Sequence, residues 1–283
     1  MEWRGRRGSR NIEDRRRAGG TVGRAGGVGG VGLLVVVVVG YFLGFDLTGL
    51  LQDQGPVAPS GDVALTEADV AAGEFVSVIL ADTEEIWASV FRDQLNQTYT
   101  PAVLVLYKSV TPSPCGNASG ATGPFYCPGD NKVYLDTEFF TTLEQRLGAK
   151  GDFAAAYVVA HEIAHHVQDE LGILGQANSL RADVSEAESN EISVRVELQA
   201  DCLAGIWAQQ VQDRFGTIQQ GDFEEALNAA HQIGDDTLAR KAGREVMPHT
   251  FTHGTSAQRA RWFLAGLKSG RMDDCDTFAA DRL

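Results

Sequence analysis

Outside its first 24 residues the chain is short of positive charge. Those 24 residues hold eight arginines against three acids. The other 259 hold 16 Lys and Arg against 35 Asp and Glu, a net of −19 within a whole-chain charge of −14. A body this acidic argues against a nucleic-acid partner, because neutralising phosphates needs clustered Lys and Arg. Cysteine is scarce as well, with four in 283 residues and no C-x-x-C pair, which argues against a structural cysteine-ligated zinc site. Only six histidines occur, yet three of them fall within six positions, in AAAYVVAHEIAHHVQDE at 154–170. The remaining composition, 43% hydrophobic and 22% charged, is that of an ordinary globular protein.

The chain divides by composition. Residues 1–24 read as a basic leader. Residues 25–45, AGGVGGVGLLVVVVVGYFLGF, carry no charge, and as a helix they would span roughly 30 Å, one hydrocarbon core. They are expected to be one N-terminal transmembrane helix, although a shorter part of the run could serve as a signal-peptide core. Arginine-rich flanks stay in the cytoplasm. This orientation places the leader inside and everything after the anchor outside. Residues 46–61 form a polar linker, and 62–283 form the domain. Four cysteines fit an oxidising compartment. Cys115 and Cys127 flank one loop and make the natural local pair, leaving Cys202 with Cys275; in a reducing space all four would be free thiols.

Apolar spacing predicts helices over 65–95 (capped at Thr66), 137–148, 152–171, 191–215, from Asp222 onward, and 256–270. Strands are predicted at 102–110 and 132–136. The stretch RADVSEAESN reads as loop or frayed helix. The fold class is therefore α+β, mostly helical with a small sheet.

His161-Glu162-Ile163-Ala164-His165 matches H-E-x-x-H. Residues four apart on a helix lie ~40° apart around its axis, so His161 and His165 can reach one Zn²⁺. Glu162, ~100° round, stands beside the metal as a general base for its water, whose pKa the metal lowers towards ~7. His166 faces elsewhere. Two buried imidazoles without partners would be costly, and a metal removes that cost. A catalytic zinc keeps three protein ligands and one open position. The extension H-x-x-G-x-x-H fails, with Gln168 and Leu171 at its Gly and last His positions. On the helix at 191–215, Glu197 and Asp201 are the only acids on an arc that is otherwise small or apolar, so Glu197 is the expected third ligand. Asp201, one turn on, is expected to accept the free N–H of a ligating histidine. Ala200, Ala204 and Ala208 let the two helices approach closely.

Together, AYVVAHEIAHHVQ, VELQADCLAGIWA, GPFYCPGDNKVYLD and THGTSAQRARWF resemble the bacterial neutral zinc metallopeptidase family of single-pass membrane proteins with a zincin-like domain. The E-x-x-A-D at 197–201 is also similar to the glutamate-ligand block of membrane-associated peptidases. The resemblance implies a zincin-like fold over 62–283, one catalytic zinc, and peptide-bond hydrolysis with Glu162 moving the proton. A peptide or protein is then the substrate, the membrane is met through the N-terminal helix, and oligomeric state is open. It adds two candidates. An edge strand beside the cleft would pair with substrate, and NKVYLD with Tyr134 is the best match, core packing being the other reading of Tyr134. His253 could steady the oxyanion or simply hold its loop. The rival function is a membrane-tethered binding protein that keeps the zinc and does not turn over peptides; Glu162 argues against it.

Overall fold

The computed structural model describes residues 1–17, 64–119 and 123–283. A four-stranded sheet has the order β1 (Ile12–Asp14), β2 (Val103–Tyr107), β6 (Lys132–Asp136), β5 (Phe125–Cys127). The first three are parallel, and β5 runs antiparallel on the edge. β3 (Val110–Ser113) and β4 (Gly116–Ser119) form a separate antiparallel pair. The helices are α1 (Glu67–Val90), which continues as a π-helical turn over Phe91–Leu95, α2 (Phe139–Gln145), α3 (Asp152–Glu170), α4 (Ile173–Arg181), α5 (Glu186–Phe215), α6 (Asp222–Gln232), α7 (Asp235–Lys241) and α8 (Ser256–Ser269).

Successive strand residues face opposite ways, and here each way leads to a different core. Leu104, Leu106, Tyr126, Val133 and Leu135 point into the main helical core. Val105, Tyr107, Cys127 and Tyr134 point into a smaller core closed by Ala118 of β4. Burial on both faces explains why β2 reads as an unbroken apolar run rather than an alternating one. Capping boxes at Thr66, Ser185 and Thr255 start α1, α5 and α8. The box at Ser185 extends α5 into the segment expected to be loop. α3 begins at Gly151 with no cap of its own, and Glu225 of α6 accepts the Phe153 N–H at 3.1 Å instead. Gly151 is required there. Its φ is +101°, and a Cβ would lie 2.0 Å from the Glu225 carboxyl.

α5 and α8 pack closest. A Cβ on Gly266 would sit 1.8 Å from the Cys202 carbonyl oxygen, and one on Gly205 would sit 2.1 Å from that of Phe263. Both disulfides join the pairs expected. Cys115 and Cys127 tie the β4 hairpin to β5, and Cys202 and Cys275 tie α5 to the C-terminal segment, with Cα separations of 5.8 and 5.6 Å.

Residues 1–17 do not stand apart as a leader. β1 pairs with β2. Arg6 grips buried Asp82 through two bonds of 2.6 and 2.7 Å, and Arg16, 7% exposed, reaches the Asp69 carbonyl of α1. In the sequence these basic residues resemble a membrane-flanking arm, because nothing local distinguishes a solvated arginine from one that meets an acid far along the chain. The apolar run 25–45 lies outside the described residues. Among those described, no helix is long and apolar enough to cross a membrane.

Candidate metal centre and its cleft

One face of α3 carries Tyr157, Val158, His161, Glu162 and His165, and all five border a cleft of about 460 Å³. α5 crosses it and contributes Glu197 to the same cleft. One donor atom each from His161, His165 and Glu197 can be chosen so that all three lie within 4.8 Å of one another. His161 Nε2 is 3.1 Å from Glu197 Oε2, and His165 Nε2 is 3.5 Å from Oε1. For bonds of 2.0–2.2 Å, the edge of a zinc tetrahedron is about 3.4 Å. The two imidazoles and the carboxylate therefore fit zinc in spacing and in chemistry.

Side chains behind both imidazoles orient them for such a role. Gln168 donates from Nε2 to the Val196 carbonyl at 2.8 Å, which fixes its amide. Its Oε1 must then face His165 Nδ1, 2.8 Å away. Nδ1 donates that bond, leaving the Nε2 lone pair turned to Glu197. His161 is set by Asp201. Its Nδ1 lies 3.0 Å from Asp201 Oδ1, an approach too oblique for an aligned hydrogen bond. Burial opposes charge on His161, but Asp201 and Glu197 outweigh it and push its pKa up to about 10. Burial likewise opposes ionisation of Glu197, and the charges of His165 and His161 overcome it, holding the carboxylate well below its usual range.

Asp201 is fully buried and does more than sequence reasoning assigned to it. It accepts Tyr157 Oη–H at 2.5 Å, Arg259 Nε–H at 2.8 Å and Arg259 Nη2–H at 3.0 Å. Burial alone would raise its pKa, but Arg259 and His161 depress it. Arg259, 2% exposed on α8, was missed. The signal was present, since Arg259, Phe263 and Gly266 share a face at helical spacing, and an arginine in an apolar stripe needs an acid.

Glu162 is 8% exposed and borders the cleft. Burial raises its pKa, against the pull of His165 and His161. No described residue donates a hydrogen bond to its carboxylate.

His253 also borders the cleft, with 44% of its side chain exposed. Its loop is pinned by Asp235, which accepts the backbone N–H groups of Thr252, His253 and Gly254 at 2.9, 2.7 and 3.1 Å and faces His253 Nδ1 at 3.3 Å. Burial disfavours the imidazolium, but Asp235 and Glu197 raise the pKa. Asp235 was missed because a carboxylate at a short helix start ordinarily reads as a cap. His166 faces away, donating from Nε2 to the Thr100 carbonyl at 2.7 Å.

Tyr134 is not at the cleft. β6 is flanked by β2 and β5, so it is not an edge. Tyr134 is 1% exposed in the smaller core, stacked on Phe125, with its hydroxyl donating to Asp130 at 2.7 Å. The edge strand next to β6 is β5, and its Phe125 and Tyr126 line the cleft.

An H-E-x-x-H helix crossed by a glutamate-bearing helix, with both imidazoles oriented from behind, defines the class: proteins whose two-histidine, one-carboxylate set suits zinc. More particularly, the chain belongs to the family described as "Putative neutral zinc metallopeptidase", which matches residues 1–278. YpfJ of Escherichia coli (strain K12) is 45% identical over 285 residues, covering 98% of this chain and 99% of its own length. Rv2575 of Mycobacterium tuberculosis (strain H37Rv) is 38% identical over 253 residues, 84% of each. Both relatives are described only as uncharacterized. No solved structure matches the chain.

Removing Arg259 while leaving Asp201 buried should be costly. Arg259→Met is expected to lower unfolding free energy by about 3–5 kcal/mol, and Arg259→Met with Asp201→Leu to recover part of it. Urea unfolding measures both, and a loss below about 1 kcal/mol in the single variant contradicts this view of the network.

Proposed function

We propose that the protein hydrolyses peptide bonds, using one zinc held by His161, His165 and Glu197. The observation that carries this reading is Glu162, a carboxylate beside the three donors that borders the cleft and is bonded to no described residue. Buried carboxylates are ordinarily paired, and an unpaired one in a cleft is a candidate for proton transfer. Zinc bound there supplies Lewis acidity, polarising a carbonyl and acidifying water. Glu162 takes the proton from the attacking water and delivers it to the departing nitrogen. His253, with Asp235 behind it, faces the oxyanion and donates to it. Asp201 and Gln168 hold the imidazoles in the tautomer that leaves each Nε2 to the metal. β5, paired on its outer side with no described strand, is the strand an extended substrate would join.

Glu162→Gln should keep its zinc and lose cleavage of a broad peptide library by at least ~10²-fold, whereas Glu197→Ala should lose the zinc itself. Metal analysis and mass spectrometry of the digests read both. If the zinc-loaded protein cleaves nothing, or the Gln variant cleaves as well as wild type, the peptidase reading fails and a zinc-holding binding protein takes its place.

We assign the domain to an oxidising compartment outside the cytoplasm, on the strength of the two disulfides. A single membrane crossing by 25–45 would leave residues 1–17 and the domain on opposite sides. Since these pack as one body, we assign both to the same side of any membrane that the run meets. Reporter fusions at residue 1 and at residue 283 should report the same compartment, and opposite compartments would overturn the assignment.

A further inference from the structure

α4 ends at Arg181, whose guanidinium lines the same cleft as His161, Glu162 and Glu197. Among the described residues, three cationic side chains besides the two ligand imidazoles face that cleft, and two of them are neutralised. Arg259 is paired with Asp201, and His253 with Asp235. Arg181 is not. Its Nη1 donates to Asn178 Oδ1 at 2.7 Å, a neutral amide one turn back on α4. Its Nε is buried with no partner among the described residues. Among the described residues no carboxylate lies within ion-pair distance of it.

The surroundings make this unusual. α4 gives Leu174, Asn178 and Arg181 to the cleft lining, and apolar Leu147 and Leu238 lie elsewhere in it. Burial works against the charge, and the field of Glu197 reaches it from across the cleft. A half-buried guanidinium with an idle N–H is a cost in the free protein. The helix C-terminus favours a cation there, yet it offers nothing to the fork of donors. That fork matches a carboxylate, which can accept two parallel bonds from it.

We propose that Arg181 is a specificity residue that binds a substrate carboxylate beside the scissile bond. Preferred substrates are then peptides that present a carboxylate to this wall, either as an acidic side chain or as the free C-terminus. This rests on the peptidase reading for the word substrate, but the contact itself is a binding event and can be measured without turnover.

The test uses the full-length, zinc-loaded chain carrying Glu162→Gln, with fluorescein-labelled peptides in matched pairs. One set pairs Glu with Gln at each position of a hexapeptide whose C-terminus is amidated. The other pairs a free C-terminal carboxylate with its amide. Fluorescence anisotropy gives Kd for each. The expected result is about tenfold or tighter binding of the carboxylate member in one set. That preference should vanish in Arg181→Gln and persist in part in Arg181→Lys. Preference confined to the Glu/Gln set identifies the side chain as the source, and preference confined to the acid/amide set identifies the C-terminus. No carboxylate preference in either set, or a preference unchanged in Arg181→Gln, overturns the proposal. Failure of Glu162-competent protein to cleave any of these peptides would count against the peptidase reading alone and leave the binding result standing.

Discussion

The buried carboxylate of Asp201 is the constraint around which the rest is arranged. A charge with no access to water must be compensated in place, and Asp201 is compensated from two neighbouring helices. Tyr157 and His161 come from α3, and Arg259 comes from α8. Each partner sets a condition on the fold. Arg259 can arrive only if α8 lies almost against α5, which Gly205 and Gly266 permit. His161 can arrive only if α3 crosses α5 at the level of residues 197–201. Once those conditions are met, Glu197 falls beside both imidazoles one turn away. The donor set follows from a packing solution to one buried charge.

A second layer fixes what the first brings together. Gln168 sets the His165 tautomer only because its own amide is held by the Val196 carbonyl of α5. Glu225 caps the otherwise uncapped start of α3. Asp235 pins the loop that carries His253. These side chains position others from behind, and they come from α3, α6 and α7 respectively. The cleft is therefore a property of the whole helical layer, and the sheet supplies its rim through β5. The family to which the chain belongs is matched from residue 1, and the N-terminal strand β1 extends that sheet by pairing with β2.

What could be read in advance were the features with local period. H-E-x-x-H on an apolar helix, two acids on a small-residue arc, the strand 132–136 and the capping residue Thr66 all follow from spacing along one element. What could not be read depends on distant partners. Arg259 and Arg261 look alike in SAQRARWF, yet the helix turns the first onto Asp201 and leaves the second exposed. Arg6 and Arg16 look like a membrane flank until Asp82 and the Asp69 carbonyl are found opposite them. Tyr134 illustrates a different limit. Alternation correctly separates 133 and 135 from 134, but it does not say which face looks at the cleft, and strand order, not sequence, makes β5 the edge.

The central claim is that His161, His165 and Glu197 bind zinc as two imidazole nitrogens and a carboxylate. X-ray absorption at the zinc edge of the purified full-length protein tests it most directly. The account predicts one zinc per chain, nitrogen and oxygen scatterers at about 2.0–2.2 Å, an outer-shell pattern of two imidazoles, and no sulfur. A sulfur shell near 2.3 Å, an imidazole count other than two, or protein that retains no zinc would contradict it.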